Sequence, residues 1–137
     1  MLQMILGIGC DIVKISRFAK EENFLQRFMK KYLTVKEVEE IKNKKEYQKI
    51  EGLVLAVATR FAGKEAVAKA LGMGFQEGIT LKDIEIIHDE LGCPHVTLYK
   101  NALHRAYELS KNQKVNMHIT LANEQEYANA VAVLESI

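Results

Sequence analysis

Two acidic residues stand where acidic side chains are costly. Asp11 lies in a stretch, residues 4 to 15, that carries no other charge until Lys14, and an ionised carboxylate buried there needs a partner. Glu65 falls on the helical stripe of Val54, Val57, Ala58, Phe61 and Ala68, one turn beyond Phe61. There the small Ala68 and Gly72 leave room for a ligand. Each residue has a plainer reading when taken alone. Asp11 serves as the partner of a lysine or arginine or sits at an exposed strand end, and Glu65 is half of an i,i+4 ion pair with Lys69. Taken together, on the inward sides of elements that pack against each other, they suit Mg2+. This small hard ion keeps much of its water and takes one or two carboxylates plus substrate phosphate oxygens. Arg60, Lys64 and Lys69 cluster around Glu65, and cations beside a metal-binding carboxylate suit a substrate with several phosphates, such as a pyrophosphate linkage. An ordinary charged helix flank accounts for the lysines but leaves Glu65 on the wrong face.

Other chemistries find less support. Gly7-Ile8-Gly9 has no third glycine and no helix directly after it, so the dinucleotide fingerprint fails; its glycines suit close backbone approach instead. Cys10 and Cys93 form neither a C-x-x-C pair nor a disulfide framework, and His88, His95, His104 and His118 lack zinc spacing. Between Lys14 and Lys31 the bases Lys14, Arg17, Lys20, Arg27, Lys30 and Lys31 face only Glu21 and Glu22. On a chain of net charge +1 this fits an acidic partner surface, or equally a solvated helix face, rather than general nucleic-acid affinity.

The elements that must position these residues follow from periodicity. Residues 4 to 15 read as a strand, apolar on both faces and so expected at the centre of a sheet. Ser16 is placed to cap a basic helix from Arg17 to Tyr32. Thr34-Val35-Lys36-Glu37 has capping-box spacing and opens a helix to Asn43. A long helix is predicted from Gln48 to Leu71, stopping at Gly72-Met73-Gly74. Residues 84 to 88 and 95 to 99 read as a hairpin, 101 to 111 as a helix, and 115 to 121 and 127 to 134 as strands. The sum is α+β, with helices packed on a mostly antiparallel sheet. The 137 residues, 48% hydrophobic with a single proline, suit one domain over 1–137 without a linker. No apolar run approaches the roughly 20 residues of a membrane span. The N-terminal segment lacks a positive start and a small-residue cleavage site, so a cytoplasmic location is expected.

Gly7-Ile8-Gly9-Cys10-Asp11-Ile12-Val13 followed by Arg17-Phe18, and Arg60-Phe61-Ala62-Gly63-Lys64-Glu65-Ala66 continuing to Gly72, resemble the two signatures of the holo-[acyl-carrier-protein] synthases. Weaker matches at Leu33-Thr34 with Glu37, Gly92-x-Pro94 and His118-Ile119-Thr120-Leu121 extend the likeness over nearly the whole chain. The resemblance implies a Mg2+-dependent 4'-phosphopantetheinyl transferase that modifies a serine of apo-acyl carrier protein from coenzyme A, for fatty acid biosynthesis. By position it implies Asp11 and Glu65 as metal ligands, with Lys64 and Lys69 near the coenzyme A phosphates and Arg60 supporting them. The resemblance also implies Arg17 as a contact for the acidic carrier and His118 and Thr120 as a border of the active site, and in the mechanism expected from it Lys69 is an acid for the leaving group. The base is Glu65 or a metal-bound water. A homotrimer with sites shared between subunits is implied as well. Rival readings are a relative that serves a secondary-metabolite or other dedicated carrier, a metal-dependent phosphohydrolase and a non-catalytic carrier-binding module. The chain departs from the pattern at Gly63, where alanine is usual, at Cys93, and at Ala122-Asn123, where Asn123 cannot act as a base.

Overall fold

The computed structural model describes residues 2–72 and 78–137. Strand β1 (Met4–Lys14) leads through a 3-10 turn (Ile15–Phe18) to helices α1 (Glu22–Tyr32), α2 (Val35–Lys42) and α3 (Ile50–Ala70). The hairpin β2 (Ile84–His88) and β3 (Pro94–Leu98), helix α4 (Lys100–Ser110), and the hairpin β4 (Val115–Glu124) and β5 (Tyr127–Ser136) complete the chain. All strand pairs are antiparallel, in a three-stranded sheet β1-β5-β4 and a two-stranded sheet β2-β3. The α+β expectation holds.

α3 is the axis of the core. Its buried residues are not one stripe but nearly its whole circumference: Leu53, Val54, Ala56, Val57, Ala58, Ala62, Ala66, Val67, Ala68 and Ala70. A helix apolar on all sides is an interior helix, packed by different elements on each side. On one side lies the three-stranded sheet, whose inward face includes the small residues Gly7 and Gly9 on β1 and Ala128, Ala130 and Ala132 on β5. A Cβ on Gly7 would lie 1.8 Å from the Ala70 carbonyl oxygen, and one on Gly9 1.9 Å from that of Ala66. The two glycines let β1 touch the backbone of α3.

Two element readings are corrected. β1 is an edge strand in the single chain and β5 is central. Apolarity on both faces reports what covers a strand above and below, not what flanks it, and Ile8 and Ile12 remain 68% and 60% exposed. The helix expected from Arg17 begins at Glu22, and Ser16 makes no capping bond. The turn before it sends Phe18 inward, where its ring meets Phe28 at 5.6 Å and Phe61 at 5.3 Å; burying that ring outweighs continuing the helix. The capping box at Thr34 is present, with Glu37 N donating to Thr34 Oγ1 at 3.2 Å and Thr34 N to Glu37 Oε1 at 2.9 Å. Gly72 takes the left-handed conformation (φ +81) that ends α3; Met73 and Gly74 lie outside the described residues.

Candidate active site

The inward face of β1 delivers Asp11 to α3 two residues after Gly9, because period-two alternation puts Gly7, Gly9, Asp11 and Val13 on one side. α3 supplies Glu65 and, one turn on, Lys69. The ammonium of Lys69 lies 3.1 Å from Asp11 Oδ1 and donates to the Cys10 carbonyl at 2.8 Å. Lys69 is thus paired across elements with Asp11 rather than along the helix with Glu65. The other oxygen of Asp11, Oδ2, is buried without a hydrogen-bond partner. Burial pushes the Glu65 carboxyl above its ordinary pKa, Asp11 adds to the rise, and Lys69 and Arg17 oppose it. Arg17 is exposed, with its guanidinium 5.8 Å from the Phe18 ring centre and 5.7 Å from that of Phe61. Asp11, Glu65, Lys69 and Arg17 therefore form one electrostatic cluster.

Two neighbouring carboxylates, one of them with a buried unpaired oxygen, could serve as donors to a small divalent cation. Among the described residues no group of three or more His, Cys, Asp or Glu side chains is arranged to hold a metal. An ion here would complete its shell with water and substrate oxygens.

Arg60 and Lys64 are elsewhere. Both are fully buried on another side of α3. Arg60 is ion-paired with Glu40, which also accepts from the His88 backbone at 2.7 Å and lies 3.2 Å from His88 Nδ1. Lys64 meets Glu37 Oε1 at 2.7 Å and the carbonyls of Ile84 at 2.7 Å, Leu81 at 2.8 Å and Tyr32 at 3.3 Å. Helical spacing puts both residues near Glu65 in sequence but rotates them to the side facing α2 and β2. Of this interior, Glu40 and Glu85 were not singled out from sequence, and Glu37 was singled out only for the capping box and the family likeness. Glu85, within Ile84-Glu85-Ile86-Ile87, carried the same signal as Asp11, a lone charge in an apolar strand. Its oxygens accept from Thr34 Oγ1 at 2.6 Å and Tyr99 Oη at 2.9 Å.

His118 and Thr120 are not brought to the carboxylates. Both are exposed on the outer face of β4, aligned through Val133 and Val131 with Ile8 and Cys10 of β1. Asp11 aligns with the buried Ala130 on the opposite face. His118 Nε2 lies 3.0 Å from Glu135 Oε1. His118 also lines a cleft of about 540 Å3 with His95, Thr97, Tyr107 and Asn116, and Asn123 lines another of about 550 Å3 with Ile15, Val54 and Leu55. Neither cleft includes Asp11 or Glu65.

The structure thus places one carboxylate from the antiparallel sheet and one from the central helix within electrostatic range of each other and of a lysine. Residues 7–132 match the 4'-phosphopantetheinyl transferase superfamily. A holo-[acyl-carrier-protein] synthase of Clostridium beijerinckii is 40% identical over 135 residues, covering 98% of this chain and all of that protein. One of Wolbachia pipientis is 39% identical over 132 residues, covering 96% and 98%. Among solved structures, the acyl carrier protein synthase of Plasmodium yoelii with ADP bound superposes with a TM-score of 0.84 at 32% identity, covering 100% and 99% of the two chains. That of Bacillus anthracis in complex with CoA (3',5'-ADP) gives 0.74 at 33%, covering 98% and 99%. The chain belongs to the 4'-phosphopantetheinyl transferase superfamily and, within it, to the holo-[acyl-carrier-protein] synthase family.

Proposed function

We propose that the protein transfers the 4'-phosphopantetheine group of coenzyme A to a serine of apo-acyl carrier protein, releasing adenosine 3',5'-bisphosphate, in support of fatty acid biosynthesis. The observation that carries the reading is the meeting of Asp11, Glu65 and Lys69, with one Asp11 oxygen buried and unpartnered, in a chain that matches holo-[acyl-carrier-protein] synthases along its length.

The cation that Asp11 and Glu65 would hold is Mg2+, which when bound neutralises charge developing on the pyrophosphate. The serine oxygen bonds to the β-phosphorus as the bridge to the α-phosphate breaks, and the electron pair leaves with the adenosine bisphosphate. Glu65, or a water held beside it, takes the serine proton. Lys69, with its side chain 51% exposed, is free to turn from Asp11 toward the leaving phosphate and stabilise it as an acid. Arg17, held against Phe18 and Phe61 at the rim, guides the acidic carrier, an effect that weakens with salt.

A homotrimer with shared sites belongs to the same reading. Ile8, Ile12 and Cys10 are exposed on the outer sheet face that also carries His118 and Thr120. Covering this face with a neighbouring subunit would bury the apolar residues and bring His118 and Thr120 to another subunit's site. Work in the cytoplasm fits a chain with no described helix long and apolar enough to cross a membrane.

The test is the intact mass of apo-carrier after incubation with coenzyme A and Mg2+. Wild type is expected to add the phosphopantetheine mass with an equal yield of adenosine 3',5'-bisphosphate, and Glu65→Gln to add none. Coenzyme A cleavage without carrier would turn the reading to a phosphohydrolase, and carrier binding without modification to a docking module.

A further inference from the structure

Lys64 is the lysine directly before Glu65, and its chemistry is spent inside the protein. An ammonium has three N–H donors. Glu37 Oε1 and the carbonyls of Leu81 and Ile84, all at 2.7 to 2.8 Å, take all three, with the Tyr32 carbonyl more distant at 3.3 Å. Nothing remains to offer a phosphate. The acceptors come from four separate parts of the fold: the end of α1, the first turn of α2, the turn before β2, and β2 itself. Glu37 extends the hub, since its second oxygen accepts from the Ile86 backbone at 3.0 Å while its first also caps α2. Burial disfavours the charged lysine, and Glu37 opposes that effect, so the pair is held by its partners and not by solvent.

On another side of α3, Gly7 and Gly9 set how close β1 comes. α3 is therefore gripped at two places: by the backbone of β1, which brings Asp11, and by the Lys64 ammonium, which fixes the rotation and height of the turn bearing Glu65. We propose that Lys64 is a positioning residue, an internal ammonium clasp that holds Glu65 in register with Asp11 and makes no contact with coenzyme A. The inference rests on coenzyme A being the substrate, and wild-type coenzyme A binding is the control that separates the two: its absence overturns the functional reading, whereas the outcomes below bear on Lys64 alone.

Lys64→Met leaves the Glu37 charge buried without its cation and is expected to fold poorly. Lys64→Met combined with Glu37→Gln removes the stranded charge and keeps an acceptor for the Ile86 amide. In the folded double variant, calorimetry is expected to give a coenzyme A Kd within about twofold of wild type. Its kcat is expected to fall at least about tenfold, and the Mg2+ concentration for half-maximal activity to rise. Lys69→Met, by contrast, is expected to lose coenzyme A affinity. Loss of coenzyme A affinity in the double variant to the extent seen for Lys69→Met would overturn the proposal, because a phosphate contact would have been removed. So would unchanged kcat and Mg2+ dependence, because the clasp would then be structural only. A measurement on wild type needs no variant. Lys64 is the one fully buried lysine among the described residues, so its ammonium protons are expected to be the exchange-protected set in nitrogen-15 lysine NMR. Saturating coenzyme A is expected to leave them unshifted and protected; a shift with loss of protection would assign Lys64 to the ligand.

Discussion

Glu65 is costly to ionise where it sits beside Asp11, and the sign of that effect is testable. Burial first and Asp11 second lift the Glu65 pKa in the folded chain above the ordinary value of about 4.3. The folded state then holds the Glu65 proton more tightly than the unfolded state. Stability conferred by this group is present below the ordinary value and is lost as pH climbs through the folded pKa. In chelator at neutral pH, Glu65→Gln is expected to melt at or above wild type, the two converging below pH ~4. Adding Mg2+ is expected to raise the wild-type melting temperature and leave Glu65→Gln unmoved. An equal Mg2+ shift in both proteins would place the ion elsewhere. Of the residues flanking Glu65, Lys69 was legible in its placement beside the two carboxylates, because one turn of helix keeps it on the same side. Lys64 and Arg60 were not, because along a sequence a lysine beside a carboxylate looks the same whether it faces a ligand or the interior.

The contact between β1 and α3 is backbone against backbone, so it tolerates no side chain. In Gly9→Ala the new Cβ would sit 1.9 Å from the Ala66 carbonyl oxygen and 2.7 Å from the Ala70 nitrogen, neither of which a rotamer can move. The strand must shift, and a misplacement near 1 Å is worth about 100-fold in rate. Steady-state kinetics on Gly9→Ala are expected to show at least that loss with a lowered melting temperature; near-normal turnover would mean the site does not depend on this spacing. Gly63 tells a different story. Its lack of a Cβ costs α3 about 1 kcal/mol of helix propensity, yet a Cβ there would meet Ile86 Cδ1 at 2.6 Å, Ile119 Cδ1 at 3.2 Å and Leu121 Cδ2 at 3.1 Å. Gly63→Ala alone is expected to destabilise, and Ile86→Val in the same chain to relieve it. A double-mutant cycle by denaturant unfolding checks the coupling, which should reach at least about 0.5 kcal/mol; additive effects would show that Ile86 is not the obstacle. The departure from alanine at this position is thus a packing exchange, with the neighbouring isoleucine filling the space.

At the scale of the molecule, one chain carries the residues singled out for the site on two opposite sides of its sheet. Asp11, Glu65 and Lys69 lie on the inner side of the sheet, and His118 and Thr120 on the outer side. If subunits share sites, Glu65→Gln and His118→Ala chains, each inactive alone, complement each other when mixed as unfolded chains and refolded together. Random assembly from equal amounts is expected to recover roughly a quarter of wild-type activity, since each subunit of a pair is intact at the needed position half the time. No recovery, with hybrids shown to form, would confine the site to one chain. Ile8→Glu, on the same outer face, is expected to reduce the mass seen in analytical ultracentrifugation and to abolish activity with it.

The order and type of the elements were written in the sequence, because alternation, helical stripes, the Thr34 capping box and Gly72 are local signals that act within a few residues. So were the two anomalous carboxylates, since a charge in an apolar run stands out before anything is folded. Tertiary structure alone decided that β5 and not β1 is the central strand, that Phe18 breaks the first helix, and that Lys64 and Arg60 turn inward to Glu37 and Glu40. These outcomes depend on which distant surface each residue meets, and burial of a ring or satisfaction of an ammonium by three carbonyl and carboxylate oxygens is a property of the assembled interior, with no counterpart in the spacing along the chain.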